Sequence, residues 1–176
     1  MKTRTFAAAL SLSLVPALAF AQTSNPVADA FRGYEASSAK NLIAAAEEFP
    51  ADKYSFKPTP AQMSFADIVV HLSGGNDFLC GTIAGTKAPT RAKITAAAPK
   101  DSLVARLKET FAFCDHSLAP LDDSKLAEQL TFFGGRKMTR ANMISLTIAD
   151  WADHYSQSAI YLRLNGLLPP TAKRPE

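Results

Sequence analysis

The stretch TRANMISLTIADWADHYSQSAIYLRLNG, residues 139–166, decides the fold. It is far too long for a strand, and its apolar residues recur at three- and four-residue intervals, the period of an α-helix. Thr139 stands where an N-cap is wanted, Gly166 where the helix should stop, and Pro169-Pro170 lie beyond. One face is apolar: Ile144, Ile148, Trp151, Tyr155 and Leu162. The stripe beside it runs Met143, Thr147, Asp150, His154, Gln157, Tyr161, and its middle is polar where a plain bundle helix would carry leucine and isoleucine. Residues four apart on a helix hold their Cβ atoms roughly 5–6 Å apart, so Asp150 and His154 can face one ion from consecutive turns. Burying such groups is costly unless they are paired or coordinated. The stripe is therefore either half of a metal site or a core histidine beside a carboxylate.

Three more helical segments precede it. Residues 25–50, NPVADAFRGYEASSAKNLIAAAEEFP, begin with a capping Asn25 and a Pro26 suited to the first helical position. Val27, Phe31, Tyr34, Leu42 and Ala45 form a broken helical stripe, and Pro50 ends it. Pro58 and Pro60 then force an extended connection. Residues 64–85, SFADIVVHLSGGNDFLCGTIAG, form the second helix, with Ser64 and Asp67 resembling a capping box. Phe65, Ile68, Val69, Leu72 and Leu79 mark its buried side. Gly74-Gly75 costs about 1 kcal/mol per glycine there, which close helix approach or space beside His71 would explain. A loop through Pro89 and Pro99 leads to residues 100–121, KDSLVARLKETFAFCDHSLAPL, with Leu103, Leu107, Phe111 and Cys114 on one face. Residues 120–137 read as a connection with at most one helical turn, closed by Gly134-Gly135. Four helices and no convincing strand point to an all-α four-helix bundle.

The chain begins with a different signal. Lys2 and Arg4 precede an apolar run from Phe6 to Leu18, and Ala19-Phe20-Ala21 has the small-x-small pattern of a cleavage site. Residues 1–21 read as a secretory signal cut between Ala21 and Gln22, leaving one domain over residues 22–176 in the periplasm or outside the cell. Losing Lys2 and Arg4 takes the net charge from +3 to +1, and the remaining basic residues are scattered. That balance excludes a nucleic-acid footprint, and no later segment predicts a membrane span. The two cysteines, Cys80 and Cys114, are either buried small hydrophobes or a disulfide suited to an oxidising compartment.

His71, midway along the second helix, supplies a third candidate ligand from across the bundle. With Asp150 and His154 it makes a set of two histidines and one carboxylate, which suits non-haem Fe(II) and also serves Zn²⁺, Mn²⁺ or Ni²⁺. Three protein ligands leave a position for water or substrate. Asp67, one turn before His71, is placed to orient it. Gln157 and Tyr161 extend the stripe as pocket or core residues. His116 and Arg163 read as helix-end surface residues and Asp153 as a solvated one. Phe132-Phe133 reads as packing under a loop and Gly134-Gly135 as a turn, with no phosphate-binding pattern around it.

Taken together, KYSFKPTPAQMSFADIVVHLSGGNDFLC (residues 53–80) and ADWADHYSQSAIYLRLNGLLPP (residues 149–170) resemble the DinB-like (YfiT-like) superfamily of bacterial four-helix proteins. The resemblance implies up-down-down-up topology with a long crossover between helices 2 and 3. Parallel second and third helices would bring Cys80 and Cys114 to the same height, so it also implies a Cys80–Cys114 disulfide. It implies a zinc or nickel site built from one histidine of helix 2 and an H-x-x-x-H pair of helix 4. His71 and His154 match two of those ligands, and Asp150 stands where the first histidine of the pair is usual. Similar proteins imply a metal-dependent hydrolase or thiol-transferase acting on a small molecule, with homodimers common. The alternative is a non-catalytic periplasmic bundle that has lost the metal.

Overall fold

The computed structural model describes residues 25–173. Four long helices build it: α1 (Pro26–Glu48), α2 (Phe65–Ala84), α3 (Lys100–Leu118) and α4 (Arg140–Leu164). Local chemistry sets their ends. Ser64 and Asp67 form a reciprocal capping box on α2, and the Thr139 hydroxyl accepts from the Asn142 amide to open α4. The start of α1 is capped from a distance. The Asn25 side chain makes no helix cap. Instead the Asp123 carboxylate accepts from the Val27 and Ala28 amides at 3.1 and 2.8 Å, while the Asn25 side-chain oxygen accepts from the Asp123 amide at 3.1 Å. Two segments far apart in sequence thereby satisfy each other's free donors.

Contacts along the helices set their directions. Phe49 stacks on Phe65 with ring centroids 4.0 Å apart, closing the turn from α1 into α2. Lys108 pairs with Glu47 at 2.6 Å and Arg32 donates to the Leu121 carbonyl at 2.8 Å, so α3 runs antiparallel to α1. Asn76 meets Thr110, and Cys80 is joined to Cys114 as a disulfide with Cα atoms 5.2 Å apart. Both pairs share one sequence offset, so α2 and α3 run parallel. Tyr161 donates to the Met63 carbonyl at 2.8 Å and His71 lies 3.3 Å from Asp150, so α4 runs antiparallel to α2. The bundle is up-down-down-up. Its α2–α3 crossover is held by Arg91, bound to Asp77 at 2.8 Å and to Glu109 at 3.0 Å.

Apolar faces of all four helices meet in one core, with Phe31, Leu42, Phe65, Ile68, Leu72, Leu103, Leu107 and Trp151 essentially inaccessible. Trp151 sits among three other helices. Its ring stacks on Phe31 at 5.7 Å, faces Phe111 at 5.9 Å, and donates its indole N–H to the Asn76 side-chain oxygen at 2.8 Å. The stripe expected for α1 is narrower than the sequence suggests. Phe31, Leu42 and Ala45 are buried, but Val27 and Tyr34 are exposed, Tyr34 at the rim of a groove between α1 and α4.

The connection between α3 and α4 departs from expectation. It holds a short antiparallel hairpin, β1 (Gln129–Thr131) and β2 (Lys137–Thr139), with Leu130 opposite Met138. Arg140, at the start of α4 and buried, pairs with Glu128 at 2.7 Å and fixes the hairpin base to that helix. At the tip, Gly134 and Gly135 have φ of 68° and 77°, the left-handed region that glycine enters without a Cβ clash. Among the described residues no helix is long and apolar enough to cross a membrane. The expected signal segment and its cleavage point lie outside the described residues.

Candidate metal centre

His71 is delivered by the middle of α2, and Asp150 and His154 by consecutive turns of α4. Because α2 and α4 run antiparallel and Asn76 locks to Trp151 beside them, the three side chains converge. Each offers a ligand atom, and these atoms all lie within 4.8 Å of one another. The Asp150 Oδ1 atom is the hub, 3.3 Å from His71 Nε2 and 3.5 Å from His154 Nε2. The two imidazole rings have centroids 4.5 Å apart. A carboxylate only accepts, so both histidines carry a proton on Nε2 in this arrangement.

Burial is graded across the cluster. The His154 side chain is almost fully buried, Asp150 is partly covered, and the His71 side chain is 47% exposed. Burial alone would raise the Asp150 carboxyl, but hydrogen bonds from His154 and His71, with their charge, outweigh it and hold it well below the usual carboxylate range. The same bond to Asp150 raises the His71 imidazole above its ordinary value, against the opposing effect of burial.

The donor set fits a small divalent ion in spacing. Two ligands about 2.0–2.1 Å from a tetrahedral metal stand roughly 3.3–3.4 Å apart, close to the two separations from Oδ1. Nitrogen and oxygen donors in a 2:1 ratio suit zinc, iron, manganese or nickel. One feature opposes it. His154 Nδ1 is buried without a hydrogen-bond partner. Ligation through Nε2 would require the ring proton on Nδ1, a buried, unpaired donor, which costs about 1–3 kcal/mol.

The other candidate residues lie elsewhere. Asp67 is engaged by Ser64, accepting from its amide at 3.0 Å and its hydroxyl at 2.6 Å, so it caps α2 and does not orient His71. Gln157 donates to Asp153 at 2.8 Å on the exposed side of α4. Tyr161 is buried below the cluster, edge-on to Phe56 at 5.8 Å and bonded to Met63. Their helical spacing places Gln157 and Tyr161 on the stripe, but neither side chain reaches the three-residue cluster. His116 is exposed, and the Arg163 guanidinium reaches only the Ala159 carbonyl.

His71 and Asp150 open on a cavity of about 520 Å³ whose other walls are Val70, Phe78, Leu79, Phe132, Phe133 and Leu146. Phe132 is partly buried against the core, as expected, but Phe133 is exposed. They project from the hairpin tip onto Phe78, with Phe133 stacked on that ring at a centroid separation of 3.9 Å. Gly74 and Gly75 form the floor. No close helix approach demands them: a Cβ on Gly75 would meet Asp150 Oδ2 at an ordinary 3.7 Å, and one on Gly74 would meet nothing. Their role is to leave space beside His71. Two glycines flanked by short strand-like runs in QLTFFGGRKMT carry a hairpin signal that would have located this wall in the sequence.

A profile of the DinB superfamily matches residues 36–158, a span that includes His71, Asp150 and His154. The crystal structure of a DinB-like protein from Bacillus cereus superposes with a TM-score of 0.67 at 15% identity, covering 81% of this chain and 95% of that one. A DinB-like protein from Bacillus subtilis gives a TM-score of 0.63 at 22% identity, covering 78% and 92%. A conserved protein from Enterococcus faecalis gives 0.63 at 14% identity, covering 78% and 96%. At these identities the likeness is one of fold. No curated protein sequence matches this chain.

Proposed function

Because this chain belongs to the DinB superfamily, we propose that His71, Asp150 and His154 hold a divalent metal ion and that the protein is an exported, metal-dependent enzyme acting on a small molecule. The observation that carries the reading is the convergence of three ligand atoms within 4.8 Å, with two of the three residues, His71 and Asp150, lining a cavity large enough for a substrate. A metal bound there supplies Lewis acidity, making a nucleophile of water or of a thiol, as a hydrolase or a thiol-transferase requires. Asp150 offsets the ion's charge. His154, nearly buried, keeps its ring in one orientation. His71, half-exposed at the mouth, is the ligand nearest the entering substrate. The aromatic wall limits water around the reacting atoms. The Cys80–Cys114 bond supports an oxidising location, where such bonds persist.

A second reading follows from His154 Nδ1. Since Asp150 already accepts from both histidines, Nε2 of each has a partner without an ion, and the protein would then be a non-catalytic binding or structural bundle of the periplasm.

Metal analysis of mature protein purified without an affinity tag separates the two. Stoichiometric zinc, nickel, iron or manganese that disappears in both His71→Ala and Asp150→Ala supports the enzyme. Metal-free protein whose thermal stability is unchanged by chelator sinks that reading and leaves the second. N-terminal sequencing of exported protein should begin at Gln22. Light scattering tests the homodimer proposed from the resemblance.

A further inference from the structure

The cavity's chemistry is one-sided. Of its ten lining residues, only His71 and Asp150 bear polar side chains, and no lysine or arginine is among them. Arg136 lies over the Phe132 ring at 4.9 Å and is not a lining residue. The remaining surface comes from three phenylalanines, two leucines, a valine and two glycines. Phe133 is 57% exposed yet held in place. One ring face stacks on Phe78, and the hairpin tip behind it is closed by the Phe132 amide donating to the Arg136 carbonyl at 2.7 Å. A rigid, exposed aromatic ring beside a space of about 520 Å³ is a surface whose hydration is unfavourable until something planar covers it.

We infer that this cavity selects a small molecule carrying a neutral, planar apolar group, and that Phe133 is the specificity-determining residue that grips this group, with the reacting end directed at His71 and Asp150. The inference rests on the metal-centre reading for the reacting end alone. A charged substituent on that group would lie against the apolar wall, which offers it no cationic or hydrogen-bonding side chain, at an uncompensated desolvation cost. The geometry also explains the paired glycines of α2, since a side chain at position 74 would stand where the ring must lie.

The test uses mature, disulfide-intact protein loaded with Co²⁺, whose visible absorption reports ligand binding. Acetohydroxamate and benzohydroxamate present the same metal-binding group and differ by a phenyl ring. Benzohydroxamate should bind roughly 30-fold more tightly to the wild type, the advantage expected for burying a ring. Phe133→Ala, an exposed hairpin-tip change that removes no metal donor, should shrink the advantage below about fivefold and leave acetohydroxamate affinity unchanged. Gly74→Leu should do the same by filling the floor. A carboxylate in the para position of the ring should weaken binding at least tenfold. Equal affinity for the two hydroxamates, or unimpaired binding of the carboxylated one, overturns the inference. If cobalt does not bind, the metal reading fails separately. The neutral probe N-phenyl-1-naphthylamine, titrated by fluorescence into metal-free protein, then decides: saturable binding lost in Phe133→Ala sustains the inference, and absence of binding overturns it.

Discussion

Replacing Asn76 by alanine should destabilise the bundle by about 3 kcal/mol, because that one side chain joins three helices. Its amide oxygen accepts from the Trp151 indole at 2.8 Å and its amide nitrogen donates to the Thr110 hydroxyl at 3.3 Å, and Asn76 itself is 1% exposed. Truncation leaves the indole N–H buried and unpaired, at about 1–3 kcal/mol. Thr110 is spared, since its hydroxyl still donates to the Leu107 carbonyl at 3.0 Å. The vacated amide adds a small cavity, worth roughly 1 kcal/mol at about 24 cal/mol per Å³. For a domain of this size the total lowers Tm by about 10 °C. Urea titration followed by far-UV circular dichroism, with the disulfide intact, measures it. A Trp151→Phe variant removes the donor, and the double variant should be about 1–2 kcal/mol more stable than additivity requires. Trp151 is the sole tryptophan, so its fluorescence in the Asn76→Ala protein should report the altered partner directly. A loss below 1 kcal/mol together with strict additivity would refute the reasoning. The bond matters beyond stability, because Asn76 follows Gly75 and Trp151 follows Asp150, so the same contact holds the two halves of the candidate metal site in register.

Further consequences can be measured on the same protein. Asp123→Ala removes the cap on the first turn of α1 and should cost about 1–2 kcal/mol, read as a lower urea midpoint with an unchanged slope. Replacing Cys80 and Cys114 together by serine opens a crosslink spanning 34 residues and should cost about 3–4 kcal/mol on the chain-entropy account, whereas a change under 1 kcal/mol would show that the unfolded chain is not appreciably constrained by it. Glu35, buried in α1 with one carboxylate oxygen unpartnered, has its carboxyl raised from 4.5 to about 7 by burial first and by the Asp115 charge second. Its folded value lies above its unfolded one, so its neutral form is the one the fold favours. Stability from this group is full below about pH 4.5, falls as pH rises toward 7, and is flat above. Glu35→Gln should therefore gain on the wild type across that window, by about 3 kcal/mol at pH 8 and little at pH 4, in parallel urea titrations; a gain that does not change with pH would remove Glu35 as its source.

The four helices were legible because each carries its own period and its own punctuation. Ser64 with Asp67, Thr139, Pro26 and Gly166 act within a turn of where they stand, and local chemistry of that kind survives any tertiary arrangement. Asp150 and His154 were legible as a pair because a polar interruption of an apolar stripe is itself a local pattern, and His71 joined them as a mid-helix histidine matching the family resemblance. What the chain alone left open was everything that depends on a partner distant in sequence. Whether Cys80 meets Cys114 hinges on the relative direction of α2 and α3. Asp67 and Gln157 have the spacing of site residues, yet Ser64 and Asp153 claim their hydrogen bonds. The α1 cap comes from Asp123 and not from the adjacent Asn25. The aromatic wall shows the division most sharply, for Phe132 and Phe133 look like buried residues by composition alone. Only the hairpin, pinned by Arg140 and turned by two left-handed glycines, puts them at the cavity mouth. Sequence by itself determined the helices, most of their buried faces and the three candidate ligands; tertiary structure decided which side chains meet, because hydrogen-bond partners and cavity walls are chosen by proximity in space, which no local periodicity encodes.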